Sequence, residues 1–209
     1  MTRIRMWRLA LSVSGPHNWA ELTVCLLMAS WARALPSMLP KIYTVGHSNR
    51  SIEEFLEIVH HYTIEVVFDV RRFPSSRKYP HFNKDSLRRS LAKMGVEYFW
   101  MKNMGGYRGY VEGAEKYKCF RAQGYRNYAA WMESDEWRKD FMRVVDVAKR
   151  KTSAIMCSER IPWRCHRKLI SDALLAAGFQ VIHIIEIGRT YIHRLTRCAR
   201  IVEGKLIYV

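Results

Sequence analysis

The chain has 209 residues, 49% of them hydrophobic and 12% aromatic, and a formal net charge of +16. That length buries one sizeable core, and that apolar content offsets the entropy of ordering the chain, which excludes a largely disordered protein. Residues 1 to 40 carry Arg3, Arg5, Arg8 and Arg33 against Glu21, a net +3, so +13 belongs to the remainder and favours polyanionic partners such as nucleic acid or nucleotides.

In chain order, the first apolar run, Leu22 to Ala32, is eleven residues long between Glu21 and Arg33, too short to cross a bilayer as a helix. Pro16, His17 and Asn18 separate it from the basic start, unlike a secretory signal. Residues 1–39 read as an N-terminal extension, poorly ordered or ahead of the true start, because Met38 opens MLPKIYTVGHS and runs directly into a strand. Residues 40–209 read as a single α/β domain.

That strand, Lys41 to Val45, ends in Gly46-His47-Ser48, and Ser51-Ile-Glu-Glu54 is a capping box that opens a helix from Ile52 to His61. Ile64 to Val70 is nearly all apolar, as a parallel strand buried on both faces must be, and it ends at Asp69, Arg71 and Arg72. After the loop FPSSRKYPHFN come a helix from Lys84 to Met94, stopped by Gly95, and a strand from Val96 to Met101. The Gly- and Tyr-rich stretch 102–124 has no periodicity and reads as a functional or partly disordered loop.

Residues 125–151 predict two helices broken near Ser134. Ser153 to Met156 is a strand entering Cys157-Ser158-Glu159, Pro162 suits the first turn of a helix that runs to Ala177, and a strand from Phe179 to Ile187 closes the pattern. Strands alternating with helices imply a three-layer, mostly parallel, Rossmann-like sheet of about five strands. The ligand crevice of such a sheet lies beyond the carboxyl ends of its strands.

Every polar cluster falls at such an end. Cys157, at a strand-to-helix junction beside arginines, is a candidate nucleophile with a depressed pKa. Asp69 and Glu159 are candidates for acid and base roles, or for an ionic network with Arg71, Arg72 or Arg167. Cys165-His166-Arg167 are expected in the first turns of the following helix, where amides and dipole favour anions, with His166 as a catalytic group and Cys165 and Arg167 toward the ligand. Gly46, His47, Ser48, Arg71 and Arg72 complete the ligand-binding set, and His47 is not expected to touch the Ser48 hydroxyl, because adjacent side chains diverge.

Six residues separate Cys157 from Arg164, one more than the phosphate loop of a cysteine phosphatase holds. Cys157-x7-Cys165-His166 is not a common zinc spacing, so no metal is assigned. The five cysteines (Cys25, Cys119, Cys157, Cys165, Cys198) are odd in number and widely spread, and read as reduced thiols of a cytoplasmic protein.

The stretches YTVGHSNRSIEEF, VVFDVRRFPSSRKYPHFN, NMGGYRG and AIMCSERIPWRCHRKLISDAL resemble the family catalogued as domain of unknown function 488, over about residues 41–200. The resemblance implies a Rossmann-like α/β fold and marks Gly46, His47, Ser48, Asp69, Arg71, Pro74, Cys157, Glu159, Cys165, His166 and Arg167 as its motif positions. It implies no agreed activity. The residues favour a hydrolase or transferase acting on a nucleotide, nucleic acid or other phosphate-bearing ligand. The alternatives are a noncatalytic nucleic-acid-binding module and a thiol redox or metal protein centred on Cys157 and Cys165. The residues specify neither a cofactor nor an oligomeric state.

Overall fold

Strand β1 (Lys41–Gly46) leads through a capped turn into helix α1 (Ile52–His61), followed by β2 (Val66–Asp69), α2 (Lys84–Ala92) and β3 (Glu97–Trp100). Two consecutive helices, α3 (Gln123–Trp131) and α4 (Asp135–Ala148), precede β4 (Ser153–Cys157), α5 (Arg167–Ala176) and β5 (Gln180–Glu186). The computed structural model describes residues 39–209. The basic start, the apolar run Leu22–Ala32 and Cys25 lie outside the described residues.

The local signals act as their chemistry requires. The Ser51 hydroxyl accepts from the Glu54 amide at 3.2 Å, while the Glu54 carboxylate accepts from the Ser51 amide at 2.7 Å. These two bonds satisfy donors that the first turn of α1 leaves open. Ser134 divides the long helical stretch by capping α4, accepting from the Trp137 amide at 3.3 Å.

The sheet order is β3-β2-β4-β1-β5-β6, with the first five strands parallel, an α/β fold consistent with a Rossmann-like three-layer arrangement. β4 is therefore enclosed by β2 and β1, and all five of its residues are buried. One face of the sheet presents Val45, Val67, Ala154, Met156 and Ile184 to Phe55 and Val59 of α1 and Leu87 and Leu91 of α2. The other presents Ile42, Val66, Phe68, Ile155 and Val181 to α3, α4 and α5 through Tyr128, Val144, Leu169 and Leu174. The period-two alternation along each strand thus divides one apolar run between two cores.

Three features correct the sequence-based expectations. The chain does not close at Ile187: β6 (Arg189–Ile192) adds antiparallel to β5, and β7 (Ala199–Val202) and β8 (Lys205–Tyr208) form a separate hairpin. Pro162 opens a short 3-10 turn, Pro162–Arg164, instead of the long helix, because Cys165 is extended (φ −124°, ψ 153°) and α5 begins only at Arg167. Cys119 and Cys198 are paired in a disulfide with Cα atoms 6.2 Å apart, so the reading of every cysteine as a reduced thiol fails for these two, and the cytoplasmic assignment loses that support. Among the described residues, no helix is long and apolar enough to cross a membrane.

Candidate functional site

The turn after β1 is bonded to the turn after β4. His47 N–H donates to Cys157 O and Ser48 N–H to Ser158 O, both at 2.9 Å. The two segments lie so close that a Cβ at Gly46 would stand 1.9 Å from the Glu159 carbonyl oxygen. Ser48 occupies the left-handed region (φ 52°), and its hydroxyl turns to Asn49, away from the His47 ring. His47 Nδ1–H donates to Ser48 O (2.9 Å), so Nε2 is free to accept from Arg71 Nη1 at 3.2 Å. Burial first, then the neighbouring Arg71 charge, holds this histidine neutral, with its pKa lowered to about 3.

Asp69 ends β2 with a carboxylate already fully engaged. Arg71 Nε donates to both of its oxygens (2.9 and 3.1 Å), Arg71 Nη2 to Oδ2 (2.5 Å), the Arg71 amide to Oδ1 (3.0 Å), and the Tyr98 hydroxyl to Oδ2 (2.6 Å). Arg71 Nη2 also reaches Phe82 O at 2.8 Å. Asp69 is fully buried, so this is a structural ion pair that fixes Arg71 in the crevice wall. Glu159 is not its counterpart: that side chain is exposed and accepts from the Ile161 amide at 2.9 Å.

The two unpaired thiols of the described residues meet His166. The ligand atoms of Cys157, Cys165 and His166 all lie within 4.8 Å of one another, with Cys165 Sγ 3.4 Å from His166 Nδ1. His166 Nε2 lies 3.1 Å from Val70 O, an acceptor only, which places the proton on Nε2 and leaves the Nδ1 lone pair facing the sulfur. The Arg167 amide, first in α5, donates to Cys165 Sγ at 3.5 Å.

Cys165 therefore carries the activated thiol: the adjacent Cys157 thiol first, then the Arg167 charge and amide, bring its pKa down to about 6 against the opposing effect of burial. The expectation of a depressed Cys157 is corrected. Its proton is held by the bond to Cys165, and burial works in the same direction, pushing it up to about 12.

A cavity of about 680 Å³ brings these ends together, lined by His47, Ser48, Arg71, Arg72, Cys157 and His166 and rimmed by Phe73, Tyr79 and Tyr107. A smaller one of about 330 Å³ adjoins it at Gly106, Cys157, Ser158 and His166 and reaches Glu159, Arg164 and Cys165. Another 680 Å³ cavity, lined by Trp163, Lys168, His183 and Tyr191, lies on the β6 side and contains no thiol.

Arg167 does not face any of these openings. It is fully buried, donating to the carbonyls of Glu159 and Arg160 and to Thr44 Oγ1 at 3.3 Å. From Thr44 a chain of hydrogen bonds passes through His183 (2.8 Å) and His193 (3.0 Å) to the buried Asp172 (3.0 Å). A guanidinium only donates and a carboxylate only accepts, so with both imidazoles in their neutral form every proton on this chain points from Arg167 toward Asp172.

Sequence reasoning missed Tyr98, Gly106 and this chain. Only Gly106 had a signal, the Gly-Gly pair of NMGGYRG: a Cβ there would stand 2.2 Å from His166 Nδ1. The remaining contacts join residues 10 to 139 positions apart.

Fold and site together define a doubly wound α/β protein with a thiol–imidazole cluster where the sheet's central strands end. Within that class the family is specific. The family model described as Domain of unknown function DUF488 matches residues 51–174, more than half of the chain, and the chain belongs to that family. No curated protein matches the chain, and no solved structure does.

Proposed function

We propose that the chain is a hydrolase or transferase acting on a phosphate-bearing ligand, a nucleotide or a nucleic-acid segment, in the crevice beyond β1, β2 and β4. The observation that carries this reading is the joint lining of one cavity: Arg71 and Arg72 with His47 and Ser48 on one side, Cys157 and His166 on the other. Arginines at a strand's carboxyl end supply positive potential for phosphate. Phe73 and Tyr107, 65% and 76% exposed with ring centroids 6.3 Å apart, stand at the mouth and suit stacking on a base.

The reacting centre in this reading is the Cys165–His166 pair, with Cys157 beside it. Cys165 takes the nucleophilic role first given to Cys157, and His166 accepts and returns the proton. Asp69 holds Arg71, and Arg167 holds the loop that carries Cys165. Glu159 opens on the adjoining cavity. A noncatalytic binding module fits less well, since its basic face need not coincide with the thiols.

The test is calorimetric titration of the full chain with mononucleotides, single-stranded RNA and single-stranded DNA at two salt concentrations, with turnover measured on whatever binds. Arg72→Ala is expected to weaken binding about tenfold, the value of one hydrogen bond to a charged group. Cys165→Ser is expected to bind normally and to lose turnover. Binding that is steep in salt yet indifferent to Arg72→Ala and accompanied by no turnover identifies a binding module instead, and no binding at all removes the phosphate reading.

A further inference from the structure

We propose that Cys157, Cys165 and His166 form a zinc site, with two thiolates and one imidazole as protein ligands and a fourth position open to the crevice. The inference rests on the reading of this cluster as the reacting centre and changes the roles within it: with the ion held, Cys165 and His166 are ligands instead of nucleophile and base, and the open metal position faces the substrate. It is carried by geometry. In tetrahedral zinc with bonds of about 2.3 Å to sulfur and 2.0 Å to nitrogen, ligand atoms stand about 3.5 Å (S to N) and 3.8 Å (S to S) apart. Cys165 Sγ and His166 Nδ1 are 3.4 Å apart, and all three ligand atoms fall within 4.8 Å of one another. No other trio of His, Cys, Asp and Glu groups this way among the described residues.

The surroundings are those a metal-binding imidazole needs. Nε2–H is tied to the Val70 carbonyl at 3.1 Å, which fixes the tautomer and leaves Nδ1 for a metal, the usual arrangement of a ligating histidine. The Arg167 amide donates to Cys165 Sγ, as amides do to metal-bound thiolates. Gly106 supplies the clearance, because a side chain there would stand on Nδ1 itself. Two thiolates cancel the charge of the ion, so the neutral centre tolerates the arginines nearby. Thiolate sulfur selects a soft ion over calcium or magnesium, and three protein ligands with an open position are the pattern of catalytic zinc, whose fourth ligand here is water or a phosphate oxygen.

The experiment is metal analysis of the untagged full chain purified without chelator, followed by exchange with cobalt(II). About one zinc per chain is expected, and the cobalt form should show sulfur-to-metal charge transfer in the near ultraviolet and tetrahedral bands in the visible. Cys157→Ser and Cys165→Ser, each checked for folding by circular dichroism, should each weaken the metal by at least about tenfold. A chain that carries no stoichiometric zinc and shows no sulfur charge transfer with cobalt overturns the proposal, a result independent of whether these serines fold. Nucleotide titration of the metal-free chain separates the two readings. Binding without any metal affinity removes the zinc and keeps the crevice, whereas metal without ligand binding does the reverse.

Discussion

Asp69 and Arg71 carry the residue-scale logic of the site. Two buried charges are tolerable only because each is fully bonded, Asp69 by the Arg71 guanidinium and Tyr98, Arg71 by Asp69, His47 and the Phe82 carbonyl. Asp69→Asn leaves Arg71 as a buried charge without its counterion, and is expected to cost about 3 kcal/mol in urea unfolding, whereas Tyr98→Phe costs about 1 kcal/mol. Equal losses for the two would show that the ion pair is not the larger contribution. The sequence located Asp69, Arg71 and Cys157 at strand ends, because Gly, charge and thiol residues interrupt apolar runs there, but it put Cys165 and His166 inside the next helix, whereas they end the loop ahead of α5. Which carboxylate was occupied and which thiol was activated was not legible. The first depends on Tyr98 of β3, the second on a sulfur–imidazole distance set across a nine-residue loop between β4 and α5.

Among elements, those with a periodic buried face and a capping residue were readable. α1 begins and ends where the capping box and the apolar spacing predict, and the Ser134 break separates α3 from α4. β6 was missed because all four of its residues are exposed, so it carries no buried alternation; β7 buries only Ala199, and β8 alternates no further than exposed and half-buried, with Leu206 and Tyr208 resting on the core. The aperiodic stretch 102–124 is ordered by contacts rather than by repeat: Tyr128 donates to Met104 O at 2.8 Å and Trp131 to Asn103 O at 2.6 Å. The close approach of the β1 turn to the β4 turn yields an element-scale prediction. Gly46→Ala drives a methyl into the Glu159 backbone, and should lower stability by about 3 kcal/mol and disturb the Cys157 loop together with it, measured by denaturant midpoint and by amide exchange of residues 157–161. A midpoint equal to that of the native chain would mean that the turns can separate freely.

At the scale of the whole molecule, the strand order was beyond sequence reading, since nothing local states that β4 enters between β1 and β2. That insertion is what brings three polar ends to one crevice. Two predictions belong here. The Cys119–Cys198 disulfide closes a sequence separation of 79 residues and ties the stretch before α3 to the segment that leads into β7, so Cys198→Ser should lower stability by about 2–4 kcal/mol under oxidising conditions and hardly at all in reductant. Equal loss in both conditions would point to packing instead.

The second concerns acid. His47 and His183 both have pKa values lowered from 6.5 to about 3, each by burial first and then by a neighbouring positive or titratable group, Arg71 and His193 respectively. The unfolded chain takes up protons near pH 6.5 that the folded chain refuses until about pH 3. Stability from these groups is thus complete above pH 6.5 and falls as pH drops toward 3, by about 1.4 kcal/mol per pH unit for each histidine. Urea midpoints between pH 7 and 4.5 should show this slope, and His183→Gln should halve it, leaving the His47 share. A midpoint constant over that range would contradict the buried neutral histidines.

The most direct test of the central claim, that ligand and thiols share one crevice, is the rate of iodoacetamide alkylation at Cys165 of the metal-free chain, resolved by peptide mass spectrometry, with and without a nucleotide identified by titration and used near its Kd. Protection of Cys165 on ligand binding, largely lost in Arg72→Ala at the same ligand concentration, is the predicted result. Unchanged alkylation in the presence of bound ligand would place the ligand elsewhere on the molecule and contradict the account.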